Sequence, residues 1–144
     1  MAKRNRLRSK GRASTGSYLG LQHSMTQSDQ WAALTNAEVR LLVDIASQYK
    51  GHNNGNLCAS FSVMKDRGWR SKTTLTKALK GLIRKGYIEL SRQGHLPNLA
   101  NLYALTWQPV DPCNGKHELP PSDKPSHAWK HGQSECPETV PIKT

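Results

Sequence analysis

Apolar residues recur at helical spacing in two parts of the chain. In the first, they follow spacings of three and four residues: Val39, Leu42, Val43, Ala46 and Tyr49. Such spacing predicts one apolar face of a helix. Thr35 and Glu38 have the spacing of a capping box just before this run, and Gly51 is a natural stop behind it. The sequence therefore predicts a helix that begins at Thr35.

The second amphipathic run lies within "GWRSKTTLTKALKGLIRKGYIEL", residues 68–90. Its apolar positions stand three, four, seven and eight residues after the first: Leu75, Ala78, Leu79, Leu82 and Ile83. This pattern predicts a helix with one buried face. Ser71 can cap it and Gly86 can end it. Many lysines share the stretch with these leucines, so the helix has an apolar side and a basic side.

Shorter patterns surround the two helices. Apolar and polar residues alternate in "YIELSR" (87–92) and in "NLYALTW" (101–107), on either side of the Gly- and Pro-containing "QGHLPNLA" (93–100). Two alternating runs around such a loop predict a β-hairpin. "LCA" (57–59) is long enough for a single short strand. Residues 60–67 predict a brief helix, with Ser60 as its cap and Gly68 as its end.

The two ends of the chain lack these patterns. Residues 1–30 are rich in Lys, Arg, Ser, Gly and Gln, which predicts a flexible basic arm. Residues 109–144 contain seven prolines and little apolar periodicity, which predicts a disordered tail. The organisation that follows is an arm over 1–30, one folded domain over 31–108 and a tail over 109–144.

Charge adds a functional indication to this outline. The formal net charge is +11. Residues 1–12 carry six cations and no acid, and residues 62–92 carry nine cations against two acids. Cations concentrated in one arm and one central block are typical of a protein that binds a polyanion. A face that served solubility alone would normally mix the two signs of charge.

The order of elements is helix, strand, helix, tight turn, helix, strand, loop, strand. With "FSVMKDRGWRSKTTLTKALKGLIRKGYIEL" and the hairpin after it, residues 31–108 resemble the winged helix-turn-helix family of DNA-binding domains. The resemblance implies an α+β, mainly α fold of three helices and a β-hairpin wing. Within that family the chain looks most like small plasmid and phage proteins, which include regulators and replication or segregation factors. Trp69 departs from the small aliphatic residue frequent in such turns; it either fills the helix junction or stands on the binding surface.

In a helix-turn-helix, the start of the second motif helix enters the major groove of duplex DNA. Lys can donate there to guanine O6 and N7, and Thr can offer a hydroxyl or touch a thymine methyl. The base-reading candidates are Arg70, Lys72, Thr73, Thr76 and Lys77. The phosphate-contacting candidates in the domain are Ser71, Lys80, Arg84 and Arg92, and those in the arm are Lys3, Arg4, Arg6, Arg8, Lys10 and Arg12.

Two of these assignments have open alternatives. The arm can lie along the DNA backbone or enter a minor groove, but a solubility tail or a contact with RNA or another acidic surface would have the same composition. In the hairpin, Arg92 and His95 can touch the neighbouring groove, or the hairpin can be purely structural. Deletion of residues 2–12 is expected to lower affinity for all DNA sequences and to flatten the salt dependence, if the arm contacts phosphates.

Enzymatic and metal functions find little support in the sequence. "SKTT" (71–74) contains the Lys-Thr pair found in nucleotide-binding loops, but the glycines that such a loop requires are missing. Cys113 with His117, and His127 with His131 and Cys136, have spacings that could chelate zinc, yet no tight Cys-x-x-Cys pair accompanies them. Cys58 lies in a short strand and has no recognisable catalytic context. We therefore expect no enzyme activity, no cofactor and no bound metal.

The remaining expectations concern the cellular location and the biological role of the protein. The scattered cysteines fit a reducing cytoplasm, and no apolar run is long enough to span a membrane or to act as a secretory signal. The sequence thus favours a cytoplasmic, nucleoid-associated protein that binds double-stranded DNA with sequence specificity, most simply a transcriptional repressor of a mobile element that can self-associate on DNA. The alternatives are a replication or segregation protein that binds repeated sites, and a winged-helix interaction module with an acidic partner.

Overall fold

The computed structural model describes residues 16–95 and 99–131, and over these residues the protein is an α+β structure. The described residues form five α-helices: α1 (His23–Thr26), α2 (Asp29–Ala32), α3 (Asn36–Ala46), α4 (Phe61–Met64) and α5 (Lys72–Arg84). They also form three strands: β1 (Leu57–Cys58), β2 (Ile88–Arg92) and β3 (Leu102–Leu105). Short 3-10 turns cover Lys65–Arg67, Cys113–Gly115 and Ala128–His131. None of the helices in this part of the chain combines the length and apolar character needed to cross a bilayer.

Helix α3 begins as its sequence predicts. The Thr35 hydroxyl accepts a hydrogen bond from the Glu38 backbone N–H at 3.2 Å, and the Glu38 carboxylate accepts one from the Thr35 N–H at 2.9 Å. This reciprocal capping box satisfies two of the backbone donors that a helix leaves open at its start.

The predicted buried face of α3 is partly wrong. Leu41 and Ile45 are fully buried, whereas Val43 is 37% exposed. Spacings of three and four allow two overlapping stripes in a helix as apolar as this one, and packing against α5 selects the stripe that contains Leu41 and Ile45. The helix also ends at Ala46, well before Gly51.

Helix α5 confirms the predicted cap and buried face. The Ser71 hydroxyl accepts from the Thr74 backbone N–H at 3.2 Å. Gly81 faces the Glu38 carboxylate at a distance that leaves no room for a Cβ atom, so α3 and α5 approach closely there. Four side chains of α5 enter the core beside this contact: Leu75, Ala78, Leu79 and Leu82. Replacing one of these leucines with Ala would cost about 2–5 kcal/mol of folding free energy.

The three strands form an antiparallel sheet in the order β1-β3-β2. In the β2–β3 pair, Ile88 lies opposite Leu105 and Leu90 lies opposite Tyr103, before a bulge changes the register. Strand β1 adds to the other edge of β3, where Leu57 is opposite Tyr103. The predicted hairpin and the predicted short strand are therefore both present, and they belong to one sheet.

Ordered structure extends further on both sides than the predicted domain. Met25 is fully buried and Trp129 is 3% exposed, and both belong to the hydrophobic core. The prediction of a flexible arm is thus wrong for residues 16–30, and that of a disordered tail is wrong for residues 109–131. Single apolar residues in polar segments have no periodicity that would reveal their burial. Residues 1–15 and 132–144 lie outside the described part.

The C-terminal segment is fixed by hydrogen bonds as well as by packing. The Trp129 ring stacks on Tyr87, with centroids 6.3 Å apart and an interplanar angle of 15°. The His127 backbone N–H donates to the Thr106 carbonyl at 2.8 Å. The buried Asn54 side chain donates to three carbonyl groups where β3 ends, at distances of 2.9–3.1 Å: those of Leu105, Gln108 and Pro109. A buried amide with satisfied partners specifies one path for the chain.

Candidate nucleic-acid interface

One side of α5 carries a continuous basic surface. Because the leucines of α5 point into the core, the opposite side faces solvent. Four of its residues are exposed and Thr76 is partly buried, and together they line one shallow open depression: Lys72, Thr73, Thr76, Lys77 and Lys80. We call these five residues the basic face. All five were predicted to contact DNA, and the helix brings them to a single surface.

The lysines of the basic face form no ion pair with an acid of the described residues. The ion pairs formed within residues 16–95 and 99–131 involve Arg40, Arg67 and Lys85 as cations. Lys72, Lys77 and Lys80 make none of them. Their positive charge is therefore not compensated locally, and it is available to attract an anion from solution.

Glu38 of α3 packs against α5 at Gly81. Glu38 lies 3% exposed and pairs with Lys85 at 2.6 Å. Burial raises the pKa of Glu38, but hydrogen bonds from Lys85 and from the Thr35 backbone outweigh this effect, so the pKa of that carboxyl lies below its ordinary value. Glu38 is therefore ionised at neutral pH, and its charge is paired with Lys85.

The turn between α4 and α5 is held by one carboxylate. Asp44 of α3 accepts a hydrogen bond from Arg67 Nε at 3.0 Å and another from the Trp69 indole Nε1 at 2.8 Å. Trp69 is 7% exposed. Of the two roles that the sequence left open for Trp69, the structure favours the first, in which its ring fills the helix junction.

A second depression lies beside this turn. We call it the turn groove, and it is lined by Asn36, Ala37, Arg40, Gly68, Trp69, Arg70, Ser71 and Thr74. Ser71 and Thr74 belong to the same first turn of α5 that places Lys72 and Thr73 on the basic face. The two depressions are therefore neighbours, separated by the start of one helix. Arg70, a predicted base-reading residue, lines the turn groove and is exposed.

The other predicted phosphate contacts differ in their surroundings. Arg84 is exposed at the last residue of α5, on the same helix as the basic face. Arg92, in contrast, donates to the Lys116 carbonyl at 3.2 Å and to the Ala100 carbonyl at 2.9 Å. Its guanidinium joins β2 to the chain on either side, so the structural alternative for the hairpin describes Arg92 better than a DNA contact does. The six cations predicted in the arm, Lys3 to Arg12, lie outside the described residues.

Arg40 belongs to the surface but has no clear signal in the sequence. It lies four residues before Asp44, a spacing that indicates only an ion pair along one helix. In the fold, Arg40 and Asp44 face the turn that precedes α5. This placement depends on the packing of α3 against Arg67 and Trp69, which are 23 and 25 residues away from Asp44 in the chain. No local pattern contains that information.

Two of the residues that had suggested zinc, Cys113 and His117, have polar partners inside the fold. The His117 ring Nε2 lies 2.6 Å from the Asp111 carbonyl, and the Cys113 thiol lies 3.7 Å from the Asn54 carbonyl. Burial raises the pKa of the Cys113 thiol. In the described ranges 16–95 and 99–131, no group of three or more His, Cys, Asp and Glu side chains could hold a metal ion. Cys136 lies outside those ranges.

Comparison of the chain with protein-family models, with curated proteins and with solved structures finds no match. On the surface around α5, three lysines that pair with no acid of the described residues stand beside two threonines, and a second depression that contains Arg40 and Arg70 lies at the start of the helix.

Proposed function

We propose that the protein is a winged helix-turn-helix domain that binds double-stranded DNA with sequence specificity, and that α5 is its recognition helix. The observation that carries this proposal is the basic face: three lysines and two threonines share one side of α5, and no acid among the described residues pairs with the lysines. In this assignment α4, the turn at Gly68–Arg70 and α5 form the helix-turn-helix, and β2 with β3 forms the wing.

The dimensions of α5 suit a major groove. Its 13 residues give a length of about 20 Å, and a helix with its side chains is about 10–12 Å across. The major groove of B-DNA is about 12 Å wide. Lys72, Thr73, Thr76 and Lys77 occupy the first two turns, the part of a recognition helix that reaches base edges. Lys80 and Arg84, further along, would meet the phosphate backbone.

The rest of the fold supports the same assignment. The sheet order β1-β3-β2, with β1 placed between α3 and α4 in the chain, is the arrangement expected of a winged helix. Because Arg92 is bound to two carbonyl groups, the proposed wing would contribute shape more than charge. The arm cations and Arg84 would then supply most of the additional phosphate contacts.

A protein of this kind acts by occupying a site. With the resemblance to small plasmid and phage proteins, the simplest role is transcriptional repression on a mobile element, in the cytoplasm and close to the nucleoid. A replication or segregation protein would use the same surface on an array of repeated sites. The arrangement of target sites distinguishes these two roles, because the chemistry of the surface is common to both.

The proposal is tested by selecting bound duplexes from a random DNA pool and measuring affinity for the selected site and for unrelated DNA. We expect one sequence to be enriched, with a spacing between half-sites if the protein pairs on DNA. Lys72→Ala, Thr76→Ala and Lys77→Ala should each weaken the selected site more than bulk DNA. Lys124→Ala, at an exposed lysine of the C-terminal segment, is the matched control.

Two outcomes would contradict the proposal. A wild-type protein that retards no duplex at low salt would favour an interaction module with an acidic partner. A wild-type protein that binds duplexes equally, with the three substitutions weakening all of them alike, would leave an electrostatic DNA-binding protein without base readout.

A further inference from the structure

We propose that Arg40 is a backbone-phosphate anchor, and that the turn groove receives one phosphate of the DNA duplex whose bases face α5. This inference rests on the proposed function and adds to it a binding site on a different helix, α3. Arg40 was not among the residues that the sequence pattern indicated.

Arg40 is held in place before any ligand arrives. Its Nη2 donates to the Arg67 carbonyl at 2.8 Å, its guanidinium carbon lies 5.6 Å from the centroid of the Trp69 ring, and its Nε lies 3.8 Å from the Asp44 carboxylate. Despite these contacts the side chain remains 57% exposed. An arginine that is already oriented loses less conformational freedom when it binds an anion.

The backbone beneath Arg40 is adapted to its position. Gly68 has a φ of +97°, a left-handed conformation that side-chain-bearing residues rarely adopt. A Cβ atom at this residue would lie 2.6 Å from Arg40 Nη2. Gly68 therefore both makes the turn and leaves space for the guanidinium to rest on it.

The guanidinium keeps donors and charge for a ligand. Its Nη1 group makes no hydrogen bond to any residue in the described ranges. Asp44 faces two cations, Arg40 and Arg67, so this cluster has an excess of positive charge. The exposed Arg70 lines the same groove. A phosphate offers the oxygen acceptors that guanidinium groups bind well.

The position of the groove matches the path of a DNA strand. If α5 lies in the major groove, the sugar-phosphate backbones pass along its two flanks, because the groove is only about as wide as the helix. The turn groove lies at one flank of the first turn of α5, where Ser71 and Thr74 line it and Lys72 and Thr73 face the bases. A phosphate there would fix the register of α5 along the duplex.

The test is the salt dependence of DNA affinity for wild type, Arg40→Gln and Arg40→Lys, measured between 50 and 200 mM salt on the selected site and on an unrelated duplex. Losing one phosphate contact flattens the slope of log affinity against log salt by about 0.9, so the ratio of Kd values at the two salt concentrations should fall by about 3.5-fold for Arg40→Gln. Both duplexes should weaken by the same factor. Arg40→Lys should retain the wild-type slope, because it keeps the charge, but should bind both duplexes more weakly, because an ammonium group cannot make the two parallel hydrogen bonds of a guanidinium. Lys124→Gln should change nothing.

Two results would overturn the inference. An unchanged slope with weaker binding of the selected site alone would mean that Arg40 only holds the turn. An unchanged slope with unchanged affinity would mean that the groove is unused. Failure of the proposed function looks different, because wild type itself would then show no salt-dependent duplex binding.

A second measurement keeps the inference testable if Arg40→Gln does not fold. Phosphates flanking the selected site are replaced one at a time by neutral methylphosphonates, and wild type is compared with Arg40→Lys, which retains the charge opposite Asp44. We expect one position at which neutralisation weakens wild type by a larger factor than Arg40→Lys. Equal penalties at every position would overturn the inference.

Discussion

Lys77 and Lys85 belong to the same basic segment, yet their surroundings are opposite. Lys77 is exposed on the basic face and pairs with no acid of the described residues. Lys85, directly after α5, donates to the Glu38 carboxylate at 2.6 Å and to the Ala33 carbonyl at 3.2 Å. A lysine count treats the two as equal. The structure separates a cation that stabilises the fold from one that is available to a ligand.

The largest expected effect comes from breaking the structural pair. Glu38→Ala should lower the free energy of unfolding by about 3–5 kcal/mol, because it leaves the partly buried Lys85 amine without its counter-charge and also removes half of the capping box. Urea unfolding measures the change. DNA affinity per folded molecule should stay within a few-fold of wild type; a large selective loss of DNA binding would show that the two lysine classes are not distinct.

The converse change should affect binding and leave stability alone. Lys77→Ala should weaken the selected DNA site by about 1–3 kcal/mol if the ammonium group donates to a guanine. Its effect on unfolding should remain within about 0.5 kcal/mol, as for an exposed residue on the surface of a helix. Gel-shift titration and urea unfolding on the same preparation compare the two quantities. If Lys77→Ala lost stability but kept its DNA affinity, Lys77 would be a structural lysine and not a DNA contact.

Arg92 tests the distinction between cations that stabilise the fold and cations that are available to DNA. It was predicted to contact phosphate, but its guanidinium donates to two backbone carbonyl groups. Arg92→Gln should therefore cost about 1 kcal/mol or somewhat more in stability, and the salt slope of DNA binding should not change. If the slope of log affinity against log salt flattens by about 0.9, Arg92 contacts a DNA phosphate after all.

The smallest expected effect is one of pH. The pKa of Glu38 is lower in the folded protein than the ordinary value of about 4.5, so the ionised group stabilises the fold at neutral pH. That contribution is complete above about pH 4.5 and is lost as pH falls through the folded-state pKa. Wild type should lose stability over this acidic range more steeply than Glu38→Gln, as followed by thermal unfolding at pH 3–6. Parallel curves would contradict a depressed pKa.

Local chemistry explains what the sequence could predict. The capping box at Thr35, the cap at Ser71 and the buried leucines of α5 depend on residues within a few positions of each other, and all were found as predicted. The β2–β3 pairing was also correct, because two alternating runs around a loop have few other partners. The location of the basic face on one side of α5 follows from the same helical period.

Contacts between distant residues explain what the sequence could not predict. Asn54 bonds to residues 51–55 positions away, and Asp44 bonds to Arg67 and Trp69 across the turn. Such pairs depend on how elements pack, and one chain alone does not reveal them. The choice between Val43 and Ile45 as a core residue depended on the position of α5 in the same way.

The burial of Trp129 sets the size of the smallest piece of chain that should fold independently. A fragment that stops at residue 108 would uncover the ring face of Tyr87 and remove the strand-like contact between His127 and Thr106. Such a fragment should aggregate or melt early, since an aromatic surface next to the end of α5 would be left in water. Experiments on α5 and its ligands therefore need a chain that reaches at least residue 131.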